Sequence, residues 1–379
     1  MSAVAADTTG DEVAVPLLDV ERELDRQLKA AQGPGEAPVV RARMSNLVIF
    51  CDSAERARQV DEVVPDVVAI HPARVLLLVS EPGSKADELR ASVRTRVHEV
   101  GTGLRAFSEQ ITIRGDGPAV DHLPFAVRAL SIGDLPTNLW WAVPQPPAMA
   151  GPLLYNLSED VDQVVYDSFG WPEPARGMSA TASWIERFQR GPGQGASRVV
   201  ADLAWRRLKY WRRMIAQALD PATAPGAIAT IGEVLVEHGP HSVMMAWGLA
   251  SWLVARLGWH VTGVHVEPAV EIHWQLTAPE GPRHVRIRRL GDGPRGLRKV
   301  RVACQIDGEP VALALTPEEE GRRLSIVPEN VPGAPRTMAV QPQPLAELVG
   351  RQLSDRERDP VFCETMRVAQ ELARSVLNA

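Results

Sequence analysis

The chain has 379 residues, 45% of them apolar and 23% charged, with a formal net charge of −6 and a pI near 5.9. That length exceeds what one hydrophobic core usually serves, and the composition is that of an ordinary globular protein rather than a fibrous, disordered or membrane one. The acidic balance repels a phosphate backbone on average, so a nucleic-acid role would need a local basic patch.

Residues 1 to 15 are small, acidic and aperiodic and read as a disordered tip. Leu17, Val20, Leu24, Leu28 and Ala31 then recur at helical spacing, an amphipathic helix that must bury its stripe on a domain or a partner. GPGEAP at 33 to 38 reads as a linker. LVIFC at 47 to 51, a charged helical stretch to about Val64 and RVLLLVS at 74 to 80 make a βαβ beginning. SVRTRVHEV and FSEQITIR, a helix near 122 to 132, and the strands TNLWWAV and QVVYDSF complete a mixed sheet, which the Pro/Gly loop WPEPARG at 171 to 177 ends.

Beyond a helix SWIERFQR, the apolar stripe Val200, Ala204, Leu208, Trp211, Ile215 and Leu219 predicts one long helix with Arg206, Lys209 and Arg213 on its other face. A buried helix over 242 to 257 precedes strands at 261 to 276, 283 to 290 and 297 to 306, read as an antiparallel meander. Two further strands over 309 to 327, a Pro-rich connector and helices at 345 to 353 and 360 to 378 follow. The expectation is two mixed-sheet α/β domains, the second with α+β character. They occupy 39 to 176 and 177 to 340, between an N-terminal segment 1 to 38 and a C-terminal helical segment 341 to 379.

Signals for chemistry are weak. The glycine clusters at 101 to 103, 115 to 117 and 191 to 195 form neither GxGxxG nor GxxxxGK[ST], and read as turns and linkers. His265, Glu267, Glu271 and His273 share one face of the strand 261 to 276 and could ligate zinc, but His284, Arg286, Arg288, Lys299 and Arg301 on neighbouring strands favour a charge-paired solvated face. His238, His241 and Ser242 lack a GxSxG elbow, and Ser242 reads as a helix N-cap. Cys51 and Cys304 read as small core residues and Cys363 as a packed helix residue; whether any is redox-active stays open. Three distant cysteines fit a reducing cytoplasm, and neither a signal peptide nor a membrane span is expected. Trp205, Arg206, Tyr210 and Arg213 mix aromatic and arginine side chains, the anchors of protein interfaces and also of single-stranded nucleic-acid sites; protein is the favoured reading.

Several segments together resemble a known family. RARMSNLVIF at 41 to 50, HPARVLLL at 71 to 78, DLPTNLWW at 134 to 141, VVYDSF at 164 to 169 and DLAWRRLKYWRRMIAQALD at 202 to 220 are similar, in order and approximate spacing, to the glucose-6-phosphate dehydrogenase assembly proteins, OpcA. The resemblance is strong over 40 to 220 and more general beyond. It implies a non-catalytic cytoplasmic activator that binds glucose-6-phosphate dehydrogenase and promotes its active oligomer in the oxidative pentose phosphate pathway. No catalytic residue, metal, cofactor, nucleic acid or membrane accompanies it, and self-association is left open. Trp205, Arg206, Tyr210 and Arg213 are the candidate partner contacts, with Trp140 and Trp141 structural. The alternatives are a sugar-phosphate or nucleotide-binding α/β enzyme and a nucleic-acid-binding module.

Overall fold

Runs of β-branched residues and leucine that are buried along their whole length belong inside a parallel sheet covered on both faces, and two such runs set the first layer. The computed structural model describes residues 8–33, 38–100, 104–190, 198–329, 334–341 and 343–379. Two short strands, β1 (Thr8–Thr9) and β2 (Val13–Val15), precede helix α1 (Val20–Ala31) and β3 (Val39–Arg41). The buried run β4 (Ser45–Cys51) leads through α2 (Ala54–Asp61) and α3 (Val64–Ile70) to its neighbour β5 (Ala73–Glu81). An antiparallel pair, β6 (Glu88–Val100) and β7 (Leu104–Asp116), follows. Then come α4 (Leu123–Leu130), β8 (Thr137–Trp141), α5 (Pro152–Leu157), β9 (Gln163–Tyr166), α6 (Pro174–Arg190) and β10 (Val199–Asp202).

The spatial order β7-β5-β4-β8-β9-β10 is all parallel, and numbered along the chain it reads 3-2-1-4-5-6. This is the doubly wound order, whose strand direction of growth reverses between β4 and β8. Helices α2 and α3 cover one face; the apolar sides of α4, α5 and α6 belong to the core on the other.

After β10 come α7 (Leu203–Arg207), α8 (Lys209–Ala218), α9 (Ala227–Thr230), β11 (Glu233–His238) and α10 (Val243–Leu257). The strands β12 (His260–Glu267), β13 (Glu271–Ala278), β14 (Gly281–Arg289), β15 (Leu297–Ile306), β16 (Glu309–Glu318), β17 (Arg323–Pro328) and β18 (Arg336–Ala339) follow. They form a second mixed sheet in the order β12-β13-β14-β11-β15-β16-β17-β18. The chain ends in α11 (Leu345–Ser354) and α12 (Pro360–Leu377). Helix α11 returns to the first layer, where Ala346, Leu348, Val349 and Leu353 join the core of β4, β5 and α3, and Gly350 admits Ile70 so closely that a Cβ would stand 2.8 Å from it.

The two-layer α/β architecture matches expectation, and several local readings change. Residues 8–15 are not a disordered tip: β1 and β2 pair with β6, whose edge would otherwise present unpaired backbone groups. Residues 1–7 and most of the expected linker, 34–37, lie outside the described residues, as do the glycine clusters at 101–103 and 191–195. The helix α1 docks on its own chain, burying Val20 and Leu24, with Glu21 paired to the buried Arg74. The loop at 171–177 opens the crossover helix α6 instead of closing the first sheet, because β10 still adds to it. The expected helix over 200 to 219 is divided: Val199–Asp202 is a strand, Asp202 caps α7 by accepting from the Ala204 amide at 2.9 Å, and α8 begins after Leu208. The expected strand 261 to 276 is the hairpin β12–β13, turning at Ala269 with a positive φ, and β11 inserts between β14 and β15, so the meander is interrupted. Among the described residues no helix is long and apolar enough to cross a membrane.

One apolar core runs through both layers. Phe362, Met366, Ala369 and Ala373 form a helical stripe on α12 that packs between α6 and α10. Trp274 on β13 is fully buried, meets Trp247 of α10 edge to face at 5.1 Å between centroids, and donates its indole N–H to the Leu372 carbonyl at 3.2 Å. Leu372→Ala should therefore cost about 2–5 kcal/mol, as large core truncations do. Leu377→Ala, at a half-exposed site, should stay within about 0.5 kcal/mol. Urea unfolding of the two variants checks this; equal stabilities would remove α12 as the joint between layers.

Candidate functional site

In open sheets of this order the crevice outside the strand ends at the reversal point is the usual place for a ligand. Here the loops after β4, β8 and β9 face two loops of the second sheet, 239–242 and 290–296. Those loops are tied to each other. The Gly239 amide donates to the Gly296 carbonyl at 2.9 Å, the Gly296 amide to Ser242 Oγ at 2.7 Å, and the Leu290 amide to the His238 carbonyl at 2.8 Å. Gly239 lies against the Pro294 carbonyl oxygen, where a Cβ would stand 2.1 Å away. Ser242 thus spends its hydroxyl on the neighbouring loop and on the Pro240 carbonyl, and makes no cap bond to α10, contrary to the sequence reading. His241 is held at φ 56°, a sparsely populated conformation for a non-glycine residue.

Three cavities surround these loops. One of about 660 Å³ lies between Trp171 and Pro172 on one side and Val266, Ile272, Ile287 and Arg289 on the other. A second, of about 620 Å³, is lined by Arg207, Tyr210, Arg295 and Arg298. The third, of about 350 Å³, sits at the strand ends, with Arg56, Trp140, Asp167, Phe169, His241 and Arg295 in its wall.

A dinucleotide does not fit the reversal point. Its phosphates would need glycine and open backbone donors where the first strand turns into a helix. The turn after β4 is Asp52-Ser53, without glycine. The Ala54 amide already donates to Glu81 Oε1 at 2.8 Å and the Arg56 amide to Ser53 Oγ at 3.2 Å. The Glu81 carboxylate therefore occupies the helix-start donor that a pyrophosphate would use.

The four residues expected to contact a partner do not share one surface. Trp205 is 9% exposed; its indole N–H donates to Asp359 at 2.9 Å, its ring lies against Phe362, and the Arg212 guanidinium stacks over it at 3.3 Å. Burial pulls Arg212 down to about 10, which leaves it cationic at neutral pH. Arg206 bonds Gln352 and pairs with Asp355 at 3.1 Å. Both residues thus clamp the segment joining α11 to α12. Tyr210 is half-buried in the wall of the second cavity, and Arg213 is exposed. Trp140 and Trp141 are both 2% exposed, the latter stacked on Phe50 at 4.5 Å.

The remaining candidates fall on the outer face of the second sheet or in the core. His265 pairs with His273 and Glu267 with Glu271 in register, so all four share a face despite the hairpin. His273 Nε2 lies 3.0 Å from His284 Nδ1, and cross-strand ion pairs run from Glu271–Arg288 through Glu233–Arg286 to Glu329 with Arg301 and Lys299. Among the described residues no group of three or more His, Cys, Asp or Glu is placed to hold a metal ion. His238 is buried with Nδ1 on the Gly239 carbonyl, and burial pushes its pKa down. Cys51, Cys304 and Cys363 are buried thiols; burial pushes Cys51 up to about 12, and Cys363 Sγ contacts Gln189 and Arg358.

Asp202 was not anticipated as a special residue, although a capping aspartate before an apolar helix start is a readable signal. It is 8% exposed, accepts from the Ser168 amide and hydroxyl and the Ala204 amide, and neighbours Asp167, which Arg207 grips with two bonds of 2.7 and 2.8 Å.

Residues 64–183 match the family model described as the glucose-6-phosphate dehydrogenase subunit N-terminal domain, and 198–366 match that of the C-terminal domain. The chain belongs to the OpcA family. A protein named OpcA from Synechocystis sp. is 23% identical over 327 residues, covering 81% of this chain and 64% of that one. Another OpcA, from Nostoc punctiforme, is 27% identical over 199 residues, covering 52% of this chain and 40% of that one. The chain thus spans less than two-thirds of the length of these OpcA relatives. Among solved structures, a protein from Parabacteroides merdae has a TM-score of 0.52 at 7% identity, covering 90% of this chain and all of that one. An oxidoreductase from Sinorhizobium meliloti has a TM-score of 0.48 at 10% identity, covering 89% and 98%. At such identity the likeness of this OpcA-family chain to the Parabacteroides merdae protein concerns the fold alone.

Burial pushes the Asp202 carboxyl up from 3.8 to about 6, with Asp167 adding to the rise and the bonds from Ser168 and Ala204 opposing it. The folded chain holds this proton more tightly than the unfolded one. Its contribution to stability is full below pH 3.8 and is lost as pH climbs through about 6. Asp202→Asn, which keeps the capping oxygen, should flatten that limb when unfolding free energy is measured from pH 4 to 8; an unchanged slope would contradict the assignment.

Proposed function

We propose that this protein is a non-catalytic partner of glucose-6-phosphate dehydrogenase that binds the enzyme and favours its active oligomer, at the entry to the oxidative pentose phosphate pathway. The observation that carries this reading is the match of both layers to domains described as belonging to a subunit of that dehydrogenase. The reversal point supports it, since Asp52 and Glu81 with a glycine-free turn disfavour the redox cofactor that the doubly wound order would otherwise suggest. A partner of this kind acts by binding the competent state of its enzyme more tightly than the incompetent one.

The outward part of the signature helix pair, Tyr210 and Arg213, is the proposed contact, because Trp205 and Arg206 are committed to the α11–α12 junction. Titrating the same organism's purified dehydrogenase with this chain should give a saturable rise in activity and a heavier complex by mass photometry. Arg213→Glu should weaken that complex by about tenfold or more, the scale of a hot spot, without shifting thermal unfolding. No complex and no change in activity with folded dehydrogenase would overturn the partner reading. Unchanged affinity in the Arg213→Glu variant would move the contact elsewhere.

A further inference from the structure

We propose that the cavity at the reversal point is a binding site for a small phosphorylated polyol, with Arg56, Arg295 and His241 as its anion-facing donors. These three residues come from three separate elements: the first turn of α2, the glycine-rich loop after β14, and the loop after β11. All three line one cavity of about 350 Å³. Among the described residues, neither Arg56 nor Arg295 has a carboxylate at ion-pair distance, whereas many arginines of this chain do. Arg56 donates to the Gln59 amide oxygen at 3.2 Å. The acid in the same wall, Asp167, is already neutralised by the two-bonded Arg207, whose guanidinium also lies over the Phe169 ring at 5.3 Å. The cavity therefore carries net positive charge in a protein whose overall charge is −6.

Two of the donors sit on loops whose backbones are bonded to each other. Arg295 stands between Gly293 at φ 96° and Gly296 at φ 104°, in a loop bonded through Gly239 and Ser242 to the turn that carries His241. A left-handed His241 is a local cost, and such costs concentrate where a side chain must be aimed. Cations converging on a concave site suit a phosphate monoester, whose dianion takes several charge-assisted bonds at once.

The rest of the wall defines what the phosphate is attached to. Asp167 offers carboxylate oxygen to hydroxyl donors, and Pro144 and Phe169 give apolar contact for the face of a sugar ring or chain. A volume of about 350 Å³ lies at the small end of ligand sites, roughly 300–1,000 Å³, which suits a monophosphate. The bond between Glu81 and the Ala54 amide excludes a second phosphate at the helix start.

Isothermal titration of the full chain, without the dehydrogenase, tests this independently of the partner reading. Glucose 6-phosphate should bind saturably, and inorganic phosphate and glucose each at least about tenfold more weakly. Arg295→Glu and Arg56→Gln should each weaken the ester by about tenfold or more. Arg295 is exposed on a loop, so its variant should unfold at the parent temperature. No heat with the ester up to about 10 mM, or affinity unchanged in both variants, would overturn the site. Inorganic phosphate binding as tightly as the ester would overturn the polyol part of the ligand.

Discussion

The geometry of this protein depends on the packing of α12 between its two layers. Trp274 comes from the second sheet, Trp247 from the helix lying on that sheet, and Phe362, Met366 and Leu372 from the chain terminus, yet all lie in one continuous core with α6 of the first layer. Each large apolar side chain buried there contributes about 1.5–3 kcal/mol relative to exposure. The layers are therefore fixed against each other, and the cleft between them keeps a defined shape. Trp205 and Arg206 extend the same device by gripping Asp359, Gln352 and Asp355, so the signature helices and the chain terminus hold one another.

On that frame the doubly wound sheet presents its strand ends to loops of the second sheet. The fold class hosts many chemistries, so the side chains at the reversal point decide what it can take. Glu81 occupies the helix-start donor of Ala54, and Asp167 is gripped by Arg207. Arg56 and Arg295 line the same cavity. The strand ends thus border a small cavity, beside the helix that carries Arg207.

Element identity was legible wherever periodicity and burial agreed, as in the apolar run at β4, its neighbour β5, the buried helix α10 and the two terminal helices. The reading failed where one pattern served two structures. Val199–Asp202 continues the helical stripe of Ala204, Leu208 and Trp211 in sequence, and pairing with β9 makes it a strand. Strand β11 reaches the middle of the second sheet by pairing far along the chain, a non-local choice that local spacing does not encode: Val234 opposes Val285 on one side and Val302 on the other. The signature DLAWRRLKYW stood out in the sequence, but the role of each residue did not. Trp205 and Arg206 carry interface chemistry by type, and their partners lie some 150 residues away, at the α11–α12 junction. Arg56 and Arg295 drew no notice because single arginines in a charged background carry no signal until folding brings them to one cavity.

Hydrogen–deuterium exchange of this chain alone and with saturating glucose-6-phosphate dehydrogenase tests the partner role most directly. The account predicts slower exchange in peptides carrying Tyr210 and Arg213, with β4 and β5 in the first core unchanged. Exchange that is identical throughout the chain in the presence of folded dehydrogenase would contradict it.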